Sequence, residues 1–360
     1  MKLLVDEDEL AACVACGLCL PHCPTYRVTG EESASPRGRI AAMRAVHAGA
    51  AADDEFHDFM ARCVQCRACE VACPSSVPFG RLMEGTRATM PVGRATRAAY
   101  SVLGHHRLLL AGSSALAVLQ RFGAVPRRLG VPRLALRRRP LVASGTDVWL
   151  FTGCVMDAWL RDVHADVKRV LEATGAGVAL PGAGAACCGA LHTHAGLVDD
   201  GHKLAARALD AMPGDAPIVV DSAGCGAQLK EVSSRVVDVH EWLAPRIGQL
   251  QLRRLPYRVA VQDPCHLRHV QKTHGAVRDV LAPIVDLAEL DDEGLCCGAG
   301  GSYSMSQPVL AGAIRDQKVA AIGRTGATVV VSANPGCMLH LRGAGLDVRH
   351  PMSIVAEALL

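Results

Sequence analysis

The sequence predicts an α+β, multidomain chain: a small α-helical module followed by two repeated α/β units. Three observations carry that expectation. Sixteen cysteines in 360 residues fall into one N-terminal group of eight and two later, similar sets of four. Residues 1–90 show apolar spacing of the helical kind only. From residue 147 onward, short β-rich runs alternate with helical patterns, as in a largely parallel sheet.

The first element, residues 1–90, is expected to be small, helical and held by metal. Pro36 to Val46 reads as a helix, with Ile40, Met43 and Val46 or His47 at helical spacing, and Asp54 to Met60 as a second one. Residues 91–146 form a Pro-punctuated connector with helices expected around Ala95–Val102 and Leu108–Leu119. Between Glu84 and Asp147 there is no Asp or Glu, yet there are eleven arginines, including Arg127, Arg128 and Arg137 to Arg139. Such a stretch is either a solvated basic linker or a docking surface for an acidic partner or anionic membrane face. The net charge of +3 is too small to imply a nucleic-acid partner.

Residues 147–250 and 251–360 are the two α/β units. Strands are expected at Val148–Phe151, Ile218–Val220, Val259–Val261 and Thr328–Val331, and helices at Asp162–Thr174 and Leu310–Ile322. Cys154, Cys187-Cys188-Gly189 and Cys225 recur as Cys265, Cys296-Cys297-Gly298 and Cys337, at offsets of 111, 109 and 112 residues. A duplicated Cys-Cys-Gly unit is the economical account.

So many cysteines require either an oxidising compartment or metal. The start, Met1-Lys-Leu-Leu-Val-Asp-Glu, turns acidic without a continuous apolar stretch, and no run reaches the ~18 apolar residues of a membrane span. The expectation is a cytoplasmic, reduced chain whose thiols serve metal.

Each N-terminal run reads Cys-x2-Cys-x2-Cys-x3-Cys-Pro. The thiols are Cys13, Cys16, Cys19 and Cys23, then Cys63, Cys66, Cys69 and Cys73. Three close cysteines wrap three corners of an iron–sulfur cube, and the fourth, carried off by its proline, ligates the other cube. The expected sites are Cys13, Cys16, Cys19 and Cys73 for one [4Fe–4S] cluster, and Cys63, Cys66, Cys69 and Cys23 for a second, in a ferredoxin-like 2[4Fe–4S] module. Zinc also takes Cys-x2-Cys pairs, but it needs no trailing Cys-Pro.

In the repeated units, Cys154, Cys225, Cys265 and Cys337 each follow an expected strand, where ligands of open α/β sheets bind. With Cys187, Cys188, Cys296 and Cys297 they make a further metal or redox site. Either each unit holds one additional iron–sulfur cluster, or the two together form a single redox or quinone site. His266, His269 and His340 adjoin these thiols and are expected to be structural. Gly298-Ala-Gly-Gly301 offers backbone N–H groups to sulfide or phosphate. No dinucleotide fingerprint, Walker loop or Ser/His/Asp pattern is present, and no catalytic residue is expected.

With these residues in view, the chain resembles the iron–sulfur subunit of bacterial glycolate oxidase (glycolate dehydrogenase) over nearly its whole length. The resemblance rests on both cysteine runs, Cys23-Pro-Thr-Tyr26, Pro36-Arg-Gly-Arg-Ile40, Pro264-Cys-His-Leu-Arg-His269, Leu295-Cys-Cys-Gly-Ala-Gly-Gly-Ser-Tyr303 and Ala333-Asn-Pro-Gly-Cys-Met-Leu-His340. It implies a hetero-oligomer in which FAD-binding dehydrogenase subunits oxidise glycolate, or D-lactate, and this subunit passes electrons to a quinone or other membrane acceptor. It further implies a peripheral position on the inner face of the cell membrane, reached through partners. Iron–sulfur subunits of anaerobic glycerol-3-phosphate and lactate dehydrogenases share the Cys-Cys-Gly units. Heterodisulfide reductase carries a further cysteine where Gln228 and His340 stand here, so its non-cubane cluster is not carried over. An iron–sulfur sensor or regulator is disfavoured: the basic stretch has only Tyr100 and Phe122 for base stacking and no recognition motif.

Overall fold

The computed structural model describes residues 2–126, 133–136, 138, 140–182 and 184–360. Arg127, Arg128, Arg137 and Arg139 of the basic stretch lie outside the described residues.

The N-terminal module is helical among the described residues. Ser35 caps the Pro36–His47 helix by accepting from the Gly38 N–H, and Pro36 occupies the first turn, where its missing N–H costs nothing. Asp53 caps Asp54–Ala61 in the same way. Both helices and Phe79–Ala88 bury Ile40, Met43, Val46, Phe56, Met60, Phe79, Leu82 and Met83 in one core that also includes Cys63 and Cys69. Gly38 is required there, because a Cβ would meet the Glu32 carbonyl oxygen at 2.0 Å. Residues 94–121 are a helical hairpin, Arg94–Gly104 and His106–Arg121, bent by 100°. No single helix among the described residues is long and apolar enough to cross a membrane.

Each C-terminal unit is a four-stranded, wholly parallel sheet. The first comprises β1 (Val148–Phe151), β2 (Val178–Ala179), β3 (Ile218–Val220) and β4 (Val236–Asp238), in the order β2-β1-β3-β4. The second comprises β5 (Arg258–Val261), β6 (Asp286–Ala288), β7 (Val329–Val331) and β8 (Val348–Arg349), in the order β6-β5-β7-β8. The central strands match those expected from sequence. The outer ones, two or three residues long, lie outside the strands expected from sequence. Leu150, Val219, Val259 and Val330 from the two sheets belong to one continuous core. The Arg161–Ala173 helix of the first unit packs against the C-terminal Pro351–Ala358 helix of the second, so the repeats are fused through their apolar faces. In both sheets the strand order reverses direction beside the first strand, the place where ligands of open α/β sheets bind.

Candidate metal centres

The two N-terminal cysteine runs wind alike. Ala15 and Gly17 adopt left-handed backbone at the positions that Gln65 and Arg67 occupy in the second run. For non-glycine residues this conformation costs roughly 1–2 kcal/mol each, tolerated where the surroundings over-determine it. The winding turns three thiols of each run toward one space and aims backbone donors at sulfur, as where the Gln65 N–H donates to Cys63 Sγ at 3.4 Å.

Two adjoining cavities result. One, of about 440 Å³ including its open mouth, is lined by Cys13, Cys16, Cys19 and Cys73, with Pro36, Arg37 and Ile40 beside them. The other, of about 310 Å³, is lined by Cys23, Cys63, Cys66 and Cys69 with Arg39. Cys69 reaches the wall of both. All sixteen cysteines are free, and Cys16 alone is exposed. No group of three or more His, Cys, Asp or Glu among the described residues is gathered closely enough for a single metal ion. Thiols spread around an open space suit a multi-iron cube better than one zinc ion.

Arginines clamp these loops, a feature the spacing of cysteines did not disclose. Arg44 donates to the carbonyls of Leu10 and Cys13. Arg39, 1% exposed, donates to Phe59 O at 2.8 Å and Ala34 O at 2.6 Å. Arg87 donates to Met60 O, Cys63 O and, from the first α/β unit, His194 O. Burial pulls its guanidinium below the usual range. Cationic clamps of this kind suit a site whose four thiolates outweigh the positive charge of a cluster. The one legible hint was the Pro36-Arg-Gly-Arg sequence.

Nearby, burial raises the Glu84 carboxyl from 4.5 to about 7, and Glu231 adds like charge while Arg67 opposes it. A carboxyl raised above its unfolded value stabilises the fold least when ionised. That contribution is intact below the unfolded pKa and is lost as pH rises through about 7. Because Glu84 is only partly buried, we discount the full shift to about 2 kcal/mol. Glu84→Gln is therefore expected to flatten the pH dependence of stability across that interval and to stabilise the protein on the alkaline side, read from denaturant midpoints at a series of pH values.

The same winding logic operates in the α/β units. Cys154 and Cys225 follow the neighbouring strands β1 and β3 at the point of strand reversal, and Cys265 and Cys337 follow β5 and β7. The vicinal pairs lie in the loops after β2 and β6. In the first unit, the Cys187 sulfur is held well below the usual thiol range, by hydrogen bonds from Cys154 and Cys188, with His192 adding a smaller contribution. The Cys154 and Cys188 thiols are pushed up in consequence, Cys188 also touching Cys225. In the second unit, Cys296 is held down by Cys265, Cys297 and Cys66, while Cys297 is pushed up by Cys296 and Cys337. Backbone N–H groups of Gly189 and Gly298 donate to Cys187 Sγ at 3.5 Å and Cys296 Sγ at 3.4 Å. Each unit thus links its own four cysteines in a run of contacts, Cys154–Cys187–Cys188–Cys225 in the first and Cys265–Cys296–Cys297–Cys337 in the second.

Cys66 belongs to the wall of the second N-terminal cavity and also touches Cys296. Val64, Cys66, Cys296 and Tyr303 share one small buried cluster. The Gly298–Gly301 turn is what lets the parts meet: a Cβ on Gly301 would stand 2.3 Å from Leu191 of the first unit. The seam between the units is pinned by Ala223 N–H to Ala333 O at 3.0 Å and by Gln271 to Ala223 O at 2.9 Å. His266 lies tilted against His194 and meets Cys265 Sγ through Nδ1 at 3.4 Å, and burial keeps it neutral down to about 4. His340 faces the Ala311 carbonyl.

Paired cavities of four cysteines, backed by two further four-cysteine sites on parallel sheets, define a class: an iron–sulfur electron-transfer protein. The comparisons agree and narrow it. A 4Fe-4S dicluster domain matches residues 9–77, and a cysteine-rich domain matches residues 148–230 and 259–342. The chain is 31% identical to the probable glycolate oxidase iron-sulfur subunit of Bacillus subtilis, over 95% of this chain and 90% of that one. It is also 31% identical to the glycolate oxidase iron-sulfur subunit of Escherichia coli, over 99% of this chain and 96% of that one. A dihydromethanophenazine:CoB–CoM heterodisulfide reductase component of Methanosarcina barkeri is 26% identical, over 99% of this chain and 95% of that one. The chain belongs to the family of glycolate oxidase iron–sulfur subunits, and is an electron-transfer subunit of a multisubunit oxidoreductase.

Proposed function

We propose that this subunit relays electrons from an FAD-binding dehydrogenase partner, which oxidises glycolate or a close 2-hydroxy acid such as D-lactate, to a quinone-type acceptor at the inner face of the cell membrane. In this reading Cys13, Cys16, Cys19 and Cys73 hold one [4Fe–4S] cluster, and Cys63, Cys66, Cys69 and Cys23 hold the other. Each Cys-Cys-Gly unit holds one further iron–sulfur site, through Cys154, Cys187, Cys188 and Cys225 or through Cys265, Cys296, Cys297 and Cys337. Bound clusters of this kind take up and release single electrons, which a flavin supplies one at a time.

The observation that carries the reading is the adjacency of sites. The two N-terminal cavities share Cys69, and the second abuts Cys296 through Cys66. The chain's own residues set the rest of the conditions: Arg39, Arg44 and Arg87 supply positive charge, and the buried core around Met43 and Met60 keeps water from one side.

Protein purified without oxygen is expected to contain about eight iron and eight sulfide from the N-terminal module, before any contributed by the other units. Adding glycolate to the assembled complex should bleach the cluster absorbance. Stoichiometric zinc with no reducible iron would overturn the cluster assignment. Bleaching by glycerol 3-phosphate but not by any 2-hydroxy acid would overturn the substrate.

A further inference from the structure

We infer that the helical hairpin of residues 94–121 is itself a membrane-docking surface, seated in the interface of an anionic bilayer. This rests on and deepens the quinone-acceptor reading, by naming the element that reaches the lipid.

A surface helix of a soluble protein ordinarily turns its apolar stripe inward and its polar side to water. The His106–Arg121 helix and the residue after it bury Ala117 and half-bury Leu109 and Leu116, yet leave a second apolar row uncovered. Leu108, Ala111, Ala115, Val118, Leu119 and Phe122 recur at helical spacing on one side, and all are exposed. Leu108 is 59% exposed and Phe122 81%. The polar contacts lie on the other side. Ser113 is buried and accepts from Trp159 Nε1 at 3.1 Å, and His106 meets Asp157 at 3.1 Å. Gln120 accepts from the Leu134 N–H at 2.9 Å. The helix is thus fastened to the first α/β unit through Ser113 and His106 and to the connector through Gln120, with the exposed apolar row held outward.

Charge selects the occupant. Arg107 at the start of the apolar row is exposed, as is Arg94 on the preceding helix, while Arg121 at its end is exposed but donates to the Ala117 and Leu134 carbonyls. No acidic residue occurs from 85 to 146, so nothing in this stretch repels lipid phosphate. An apolar row flanked by arginines fits an interfacial helix, with the row among the upper acyl chains and the guanidinium groups at the headgroups. A protein partner would need a matching apolar groove with an acidic rim, a more particular demand than any anionic bilayer makes.

The hairpin also touches the redox centre. Tyr100, on the Arg94–Gly104 helix, hydrogen-bonds Ser302 of the second unit and lies edge-on to His192, with ring centroids 5.5 Å apart. His192 in turn contacts Cys187. An acceptor dissolved in the bilayer would therefore meet the protein beside the seam of the two Cys-Cys-Gly units.

The test uses the full chain, purified anaerobically, in flotation with vesicles of phosphatidylglycerol and phosphatidylethanolamine or of phosphatidylcholine alone. The protein is expected to float with the anionic vesicles, less so at high salt, and poorly with phosphatidylcholine. Leu119→Glu with Phe122→Glu should lower flotation roughly tenfold or more. Both positions are exposed, so iron content and circular dichroism should stay as in the unaltered chain. A chain that stays in the soluble fraction with both vesicle types, or a double variant that floats undiminished, overturns the inference. So does a double variant that loses the flavoprotein partner while vesicle binding is absent throughout, which would make the face a protein interface. Vesicle binding is read independently of iron, so failure of the cluster assignment would show separately as missing iron.

Discussion

Replacing Cys73 by serine is expected to undo the site that Cys13, Cys16 and Cys19 begin, leaving the site of its own neighbours Cys63, Cys66 and Cys69 intact. Cys23→Ser should do the opposite. The reason is the crossing visible in the cavities: Cys73 stands with the first run and Cys23 with the second. A cube missing one of four thiolates is held by a weaker oxygen ligand or is lost, so iron from this module should fall from about eight to about four per chain. Alkylation followed by mass spectrometry reads the crossing directly. In Cys73→Ser, modification should appear at Cys13, Cys16 and Cys19 while Cys63, Cys66 and Cys69 stay protected. Modification of the local trio instead would show that each run closes its own site. Cys225→Ser, in the first α/β unit, should leave all eight N-terminal positions protected.

The second large effect is expected at Arg39. Its guanidinium is buried beside the Cys23 cavity and donates to the carbonyls of Phe59 and Ala34 and to the Thr25 hydroxyl. Methionine has similar reach but no donor, so Arg39→Met strands these acceptors in a dry interior. Each stranded acceptor costs about 1–3 kcal/mol, partly relieved because Thr25 already donates to Ala34 O at 2.7 Å. A net loss of about 3 kcal/mol is expected, with loss of a nearby positive charge that also moves the adjacent reduction potential to more negative values. Lysine at this position should recover part of the potential but not the forked hydrogen bonding. The measurements are thermal melting under anaerobic conditions and redox titration by electron paramagnetic resonance. Arg324→Ala, which removes an exposed pair with Asp291, is the control and should leave both unchanged. An Arg39→Met protein that melts and titrates like the parent would deny the clamp any role.

Much of this architecture is legible in one dimension, because the ligands of a cube must approach it from a tightly wound loop. The Cys-x2-Cys-x2-Cys spacing, and the duplication of Cys154, Cys187-Cys188 and Cys225, come from that local demand. The helices over Pro36–His47, Arg161–Ala173 and Pro308–Arg324 are legible from their apolar spacing, and the central strands from short continuous apolar runs. The outer strands Val178–Ala179 and Val348–Arg349 were not legible, since two residues carry no pattern and are ordered by the strands they pair with.

What the order of residues determined by itself was the iron–sulfur chemistry, the repeat and the family, since all three reside in spacing along the chain. Tertiary structure alone decided that Arg39 and Arg87 close around carbonyls far away in sequence, and that Cys66 meets Cys296. It also decided that Leu108 to Phe122 turns its apolar side outward. The physical reason is common to these cases. A side chain's partner across a seam, and the face of a helix left without one, depend on how separately folded elements pack, and periodicity along the chain is the same whichever face ends up covered.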